Sequence, residues 1–357
     1  MNVYILAEAG VNHNGSLALA QSLVDVACDA HVDAIKFQTF RTEELVCHHA
    51  PIAEYQKKTG NNSQFEMLKS LELKEEEQIE LYQYCQHKNI EFLSSPFDLK
   101  SADFLIKTLN LSQIKIASGE MTNHPLLLHI ARAGKSVILS TGMSTLGEIE
   151  AALGVLAYGY IHKEKTIHPS LQSSEMYYYS DEGQCFLKEK VILLHCTSQY
   201  PAPFDEINLR AMNTMQQAFD LPVGYSDHTS GIHVPIAAVA MGAKLIEKHF
   251  TLDKKMQGPD HQASLDPDEL KKMVEQIRQI EVCLGSRRKF PTPSEFKNRA
   301  IGRKSLVALS KIKKGDILNE NNIGCKRPGT GLPPSYLSNM VGQCAERDYE
   351  KDDLIGL

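Results

Sequence analysis

Two short runs, PVGYSDH and AKLIEKH, each pass from apolar residues into a polar end that carries a histidine, and a helical pattern, IHVPIAAVAMGA, lies between them. In a parallel sheet or barrel a strand, helix, strand unit of this kind brings both strand C-termini to one face, so His228, Glu247 and His249 converge there. Two neutral imidazoles with a carboxylate between adjacent strands suit a divalent metal that keeps open positions. A single histidine at a strand end is more simply a hydrogen-bonded cap. Two at matching ends favour the metal.

The other strand ends hold more polar residues than folding requires. The first ends in Glu8 before GVNHNG, the second carries Lys36 and Gln38, and the third ends in Ser94 and Ser95 before Pro96. The fourth gives Lys115, then Ser118 and Glu120; the fifth ends in Ser140, Thr141 and Gly142; the sixth in His195, Thr197, Ser198 and Tyr200. A lysine inside an otherwise apolar strand is costly unless it meets an anion, which sets Lys36 and Lys115 apart from the hydroxyls. Hydroxyls and backbone N–H groups at SSPF, ASGE and STGM, beside a lysine, make a cradle for phosphate or carboxylate.

Positioning these residues requires a repeated βα framework. Apolar runs of four to six residues alternate with longer amphipathic segments through residue 284, giving expected strands at 3–7, 34–38, 91–95, 113–117, 136–140, 191–196, 222–225 and 245–249. The following helices are expected to start near Ser16, Glu75, Lys100, Pro125, Leu146, Leu209, Gly231 and Asp266. Eight units predict an α/β chain closed as a (β/α)8 TIM barrel over 1–284. Two connections are long. Thr39 to Leu73 is expected to be a lid over the site, and 159–189 a loop on the face opposite the strand C-termini. Residues 285–300, basic and proline-bearing, read as a linker, and 301–357 as a small, mostly β module with KKGD, PGTGLPP and EKDD turns.

Hydrophobic content of 42%, charged content of 23% and a net charge of −6 describe a soluble chain with no call for a nucleic-acid or membrane partner. The eight cysteines include no CxxC pair, so reduced thiols and a cytoplasmic location are expected. No basic leader and no apolar run of membrane-spanning length is present, so neither export nor insertion is expected.

With these landmarks placed, AEAGVNHNG, KFQTF, SSPFD, KIASGE, STGM, HCTSQYPAPF, GYSDHT, EKHFT and GPDHQASLDPDEL, followed by CKRPGTG, resemble the sialic acid (N-acetylneuraminate) synthases over essentially the whole chain. The resemblance implies a metal-dependent condensation of phosphoenolpyruvate with an N-acylated mannose-type sugar, giving a nine-carbon 2-keto acid and phosphate. It implies an antifreeze-like (SAF) module at 301–357 that reaches over the barrel mouth of the partner in a domain-swapped homodimer. By motif, the metal ligands fall on His228 and His249, with Mn2+ or Mg2+ expected. Phosphoenolpyruvate contacts fall on Lys36, Ser95, Lys115, Ser118, Ser140 and Ser226. The acyl-sugar side falls on Glu8, Gln38, Tyr200 and Asp260, with Arg327 in trans. Ser198 stands where some members have asparagine, and Ser95 where others have threonine; both keep hydrogen-bonding capacity. Glu247 is assigned proton transfer, although the sequence does not separate it from Glu8.

Two other chemistries are compatible with parts of the pattern. A pyruvate aldolase or lyase would use Lys36 or Lys115 as a Schiff base but leave the histidines without a purpose. A non-catalytic carbohydrate- or ice-binding protein would have little use for six ionisable groups at one mouth. Within the leading reading, N-acetylmannosamine is the acceptor expected first, giving N-acetylneuraminate. The alternative is a 2,4-diacetamido-2,4,6-trideoxymannose, giving N,N'-diacetyllegionaminate. Lid residues Gln56 to Gln64 or tail residues Gly329 to Tyr336 are the expected discriminators.

Overall fold

The computed structural model describes residues 2–48, 50, 63–163 and 169–356. Two compact units divide the chain, Met1–Gly285 and Ser286–Leu357. In the first, eight strands alternate with helices: β1 (Tyr4–Gly10), β2 (Ala34–Thr39), β3 (Glu91–Pro96), β4 (Gln113–Ile116), β5 (Ser136–Ser140), β6 (Val191–Cys196), β7 (Val223–Asp227) and β8 (Leu245–His249). The ladders are parallel and run in the order β3-β2-β1-β8-β7-β6-β5-β4. β3 and β4 pack side by side without a ladder between them among the described residues, which makes a nearly closed TIM-like ring.

Period-two alternation sorts the strand side chains onto two surfaces. Ile5, Ala7, Ile35, Phe37, Ile114, Ile116, Val137, Leu139, Leu193, Tyr225 and Ile246 face outward into the large core beneath the helices. Leu6, Ala34, Leu93, Ile138, Leu194 and Leu245 face inward and form a separate apolar plug across the lumen. Two residues beyond each plug position stand Glu8, Lys36, Ser95, Ser140, Cys196 and Glu247. The plug is therefore the floor on which a polar layer rests. Helices start where short polar side chains cap free N–H groups: Ser16, Asp98, Asn123, Thr145 and Asp266 each accept from a first-turn amide.

Three expectations change. β1 runs on to Gly10 rather than ending at 7, because Gly10, at φ 54°, takes the left-handed turn that ends the strand. The stretch 159–189 is helical rather than a loop: the helix Leu146–Ile161 extends into it, and Leu171–Tyr178 and Asp181–Lys190 follow, capped by Ser170 and Ser180. Ser170 and Ser180 start these helices as N-caps, and both helices pack on Leu146–Ile161. Likewise, the 285–300 linker contains the start of a helix, Pro293–Gly302, set by a Thr292–Glu295 capping box with proline in the first turn. In the long 39–73 connection, helices Thr42–Leu45 and Gln64–Leu71 are seen, while the Gln56–Gln64 discriminator lies, apart from its last two residues, outside the described residues.

The second unit has its own core, Leu306, Ala308, Ile312, Leu318, Ile323, Met340, Ala345, Tyr349 and Ile355. An antiparallel pair, β9 (Ser305–Ala308) and β10 (Ile323–Lys326), and isolated bridges such as Val307 to Leu354 organise it. No described helix is long and apolar enough to cross a membrane.

The plug leaves little spare volume. A Cβ at Gly224 would lie 2.4 Å from the Leu245 carbonyl oxygen and 2.7 Å from Leu194 Cδ2. Gly224→Ala is expected to destabilise the barrel by about 1–3 kcal/mol, read as a lowered urea midpoint.

Candidate active site

The polar layer is a chain of buried charges. Lys36 Nζ lies 2.5 Å from Glu8 Oε2 and 3.7 Å from Glu247 Oε2, and it donates to Ser95 Oγ at 3.2 Å. Lys115 Nζ lies 3.4 Å from Glu247 Oε1, which also accepts from Ser226 Oγ at 2.8 Å. The register sets two of these contacts, Glu8 with Lys36 and Ser226 with Glu247 across adjacent strands, while those of Lys36 and Lys115 to Glu247 join strands that do not pair. The two carboxyls are driven apart. Burial pushes Glu8 up to about 7 against the pull of Lys36. Burial also opposes ionisation of Glu247, but Lys115, Lys36 and the Ser226 bond outweigh it and hold that group at about 2. Lys36 is raised because Glu247 and Glu8 overcome its burial, whereas burial lowers Lys115.

Above this layer sit the imidazoles. The rings of His228 and His249 are 5.5 Å apart between centroids, and Tyr200 packs 4.1 Å from His228 and 5.5 Å from His249. His228 Nδ1 donates to the Thr197 carbonyl at 2.6 Å, which leaves its Nε2 with a free lone pair in the neutral ring. His249 Nδ1 is buried without a hydrogen-bond partner, 3.8 Å from Asp260 Oδ2. Burial keeps both rings neutral, His249 the more strongly because His228 and Lys36 add to it. Burial raises Asp260 to about 6. Among the described residues no group of three or more His, Cys, Asp or Glu is arranged to hold an ion. An orphaned buried nitrogen and a second imidazole with its tautomer fixed nevertheless fit a divalent cation that completes its shell with water and substrate oxygens.

Of the remaining predicted residues, Gln38, Ser118, Ser198, Tyr200 and Asp260, together with His249, line a cavity of about 670 Å³. A Cβ at Gly142 would fall 2.3 Å from Ser198 Oγ and 2.9 Å from Ser118 Oγ, so only glycine leaves these hydroxyls room, and the Gly142 amide donates to Ser118 at 3.1 Å. Ser140 Oγ is buried with no hydrogen-bond partner. Gln38 reaches the Gly10 turn, where a Cβ would lie 3.5 Å from both Gln38 Nε2 and His249 Cε1. One cavity wall is apolar, made by Val11, Leu45, Met67, Leu68, Leu71 and Phe97. Arg327 follows β10 in the second unit and belongs to that body alone.

Several participants escaped the sequence reading. The Thr197 ligand to His228 is a carbonyl, which side-chain chemistry does not reveal. Cys196 lies 3.2 Å from Ser118 Oγ. Asp227 and Lys248 form a buried pair at 2.5 Å. The signal for it was present: SDH and EKH set opposite charges at equivalent positions between the inward residues.

A parallel ring with lysines, carboxylates and two imidazoles at its C-terminal rim belongs to the class of phosphoenolpyruvate-dependent condensing transferases. The chain is a member of the NeuB family, which it matches over residues 23–289, and carries a SAF domain over 303–356. It is 47% identical to the N,N'-diacetyllegionaminic acid synthase of Campylobacter jejuni, over 98% of this chain and 98% of that protein. Against the N,N'-diacetyllegionaminic acid synthase of Legionella pneumophila it is 45% identical, over 96% and 90%. The crystal structure of N-acetylneuraminic acid (sialic acid) synthetase from Leptospira borgpetersenii, in complex with citrate, superposes with a TM-score of 0.68 at 35% identity, over 84% of this chain and 90% of that one.

Lys36→Met would leave Glu8 and Glu247 facing each other without their shared cation, at an expected cost of about 3–5 kcal/mol near neutral pH. Glu8 already has a folded pKa raised to about 7, and losing Lys36 raises it further. Its neutral form is tolerated below the unfolded pKa, and stability is lost as pH rises toward the folded one. Urea unfolding of variant and parent should therefore differ more at about pH 8 than at about pH 5.

Proposed function

We propose that this chain is an N,N'-diacetyllegionaminate synthase, condensing phosphoenolpyruvate with 2,4-diacetamido-2,4,6-trideoxymannose and water to give the nine-carbon 2-keto acid and phosphate. The observation that carries the choice of acceptor is full-length identity of 47% and 45% to two synthases of that product, against 35% to a sialic acid synthetase. It moves the assignment from N-acetylmannosamine, the acceptor expected first. The apolar cavity wall supports it, because a 6-deoxy sugar with two acetamido groups presents three methyls where N-acetylmannosamine presents one.

Lys36, Lys115, Ser95, Ser118, Ser140 and Ser226 hold the carboxylate and phosphate of phosphoenolpyruvate against the floor of the lumen. The work is orientation and charge stabilisation in a site screened from water. C3 of the enol attacks the aldehyde carbon of the sugar, whose oxygen takes up a proton. Water adds at C2 and loses a proton, and collapse of that adduct breaks the C–O bond to release phosphate. His228 and His249 are the residues that would hold Mn2+ or Mg2+, and a bound divalent cation supplies Lewis-acid polarisation of the aldehyde. Glu8, at about 7, is matched to proton transfer at neutral pH. Glu247, at about 2, stays ionised, is a poor base, and serves instead to orient the lysines and Ser226. Gln38, Tyr200, Ser198 and Asp260 take the sugar side, and Arg327 of the partner subunit completes it in a swapped homodimer.

Phosphate release from phosphoenolpyruvate should be at least about tenfold faster, in kcat/KM, with the diacetamido sugar than with N-acetylmannosamine; the reverse ranking returns the assignment to N-acetylneuraminate. Alanine at His228 or His249 should abolish turnover and Mn2+ binding, and full turnover in both variants removes the metal. Because ionised Glu8 is the active form, kcat/KM should fall as pH drops through about 7, and Glu8→Gln should erase that limb.

A further inference from the structure

Asp227 and Lys248 are absent from the chemistry above, yet they are among the most deeply buried charges in the barrel, with no exposed side-chain surface on either. They face each other across the β7–β8 ladder. Because side chains alternate, their own neighbours point the other way: Ser226 and His228 flank Asp227, while Glu247 and His249 flank Lys248. Lys248 Nζ bonds Asp227 Oδ2 and also the Thr229 carbonyl. Asp227 in turn accepts from the Thr229 amide at 3.1 Å, the Thr229 hydroxyl at 3.0 Å and the Tyr225 hydroxyl at 3.0 Å. One ammonium on β8 thus ties down the residues on both sides of His228.

We propose that the Asp227–Lys248 pair is a positioning clamp that fixes the separation of His228 and His249, and the tautomer of His228, for a divalent cation. It rests on the metal reading of these histidines. β7 ends at Asp227, so His228 lies beyond the last ladder residue, and its backbone is held on the β6 side, where its carbonyl accepts from the Ala202 amide at 2.9 Å. The His228 Nδ1 bond to Thr197 supplies one constraint, on the side of β6. The clamp supplies the constraint on the side of β8, where neither of those bonds reaches. A buried ion pair contributes little net stability against an apolar pair of equal volume, and the residues that orient metal ligands are worth about ten- to a hundredfold in affinity.

The test separates stability from positioning. Lys248→Met alone leaves Asp227 buried without a counter-charge and is expected to unfold or nearly so. The double variant D227N/K248M removes both charges and is expected to melt close to the parent. Its Mn2+ dissociation constant, from electron paramagnetic resonance titration, should nevertheless rise about ten- to a hundredfold. In long-range 1H–15N spectra of the metal-free protein, the Nδ1-protonated signature of His228 should give way to a tautomer mixture. D227N/K248Q, which keeps an N–H donor for the Thr229 carbonyl, should recover most of the affinity and the parent tautomer. Parent-like affinity and spectra in D227N/K248M overturn the clamp, as does equal loss in the Met and Gln double variants. If the parent itself binds no Mn2+, the metal reading fails and the clamp for a cation falls with it, while parent-like imidazole spectra in D227N/K248M separately overturn its effect on the rings.

Discussion

Four charges share a space from which water is excluded: two carboxylates and two ammonium groups stand in one layer of a barrel lumen, on an apolar floor. Their desolvation is tolerable only because each cation meets a carboxylate within ion-pair distance and the serines of β3 and β7 close the chain. That constraint explains the rest of the arrangement. The strand register has to bring Glu8 opposite Lys36 and Ser226 opposite Glu247, and the plug beneath has to be tight enough to keep the layer at one height.

The asymmetry between the two glutamates follows from counting their cations. Glu247 is within ion-pair distance of both Lys36 and Lys115, whereas Glu8 has only Lys36 at that distance and is also opposed by the charge of Glu247. Identical side chains on neighbouring strands thereby become a permanent anion and a group that exchanges its proton near neutrality. A multiply charged substrate needs both: fixed charges to orient it and one group free to change state.

Much of this was legible in the sequence because barrel strands are short and apolar, and each polar exception is conspicuous. Lys36 inside AIKFQT and Lys115 inside QIKI could be picked out without coordinates, as could the histidines ending SDH and EKH. What stayed hidden had specific causes. The connection 159–189 reads as a loop because of its length, yet it is built of helices started by Ser170 and Ser180, whose side chains serve caps and turns alike. The split between Glu8 and Glu247 depends on three-dimensional distances to two lysines. The Asp227–Lys248 pair hid in plain view, because a charge flanked by site residues is easily taken for another of them when it points the opposite way.

The unpaired seam between β3 and β4 carries a consequence of its own. Every other joint of the ring is laced by backbone hydrogen bonds, but this one is held by side-chain packing. Ser95 and Lys115, both proposed above to hold phosphoenolpyruvate, sit on its two banks. A ligand spanning these two residues would tie together the one pair of neighbouring strands that, among the described residues, no backbone ladder joins.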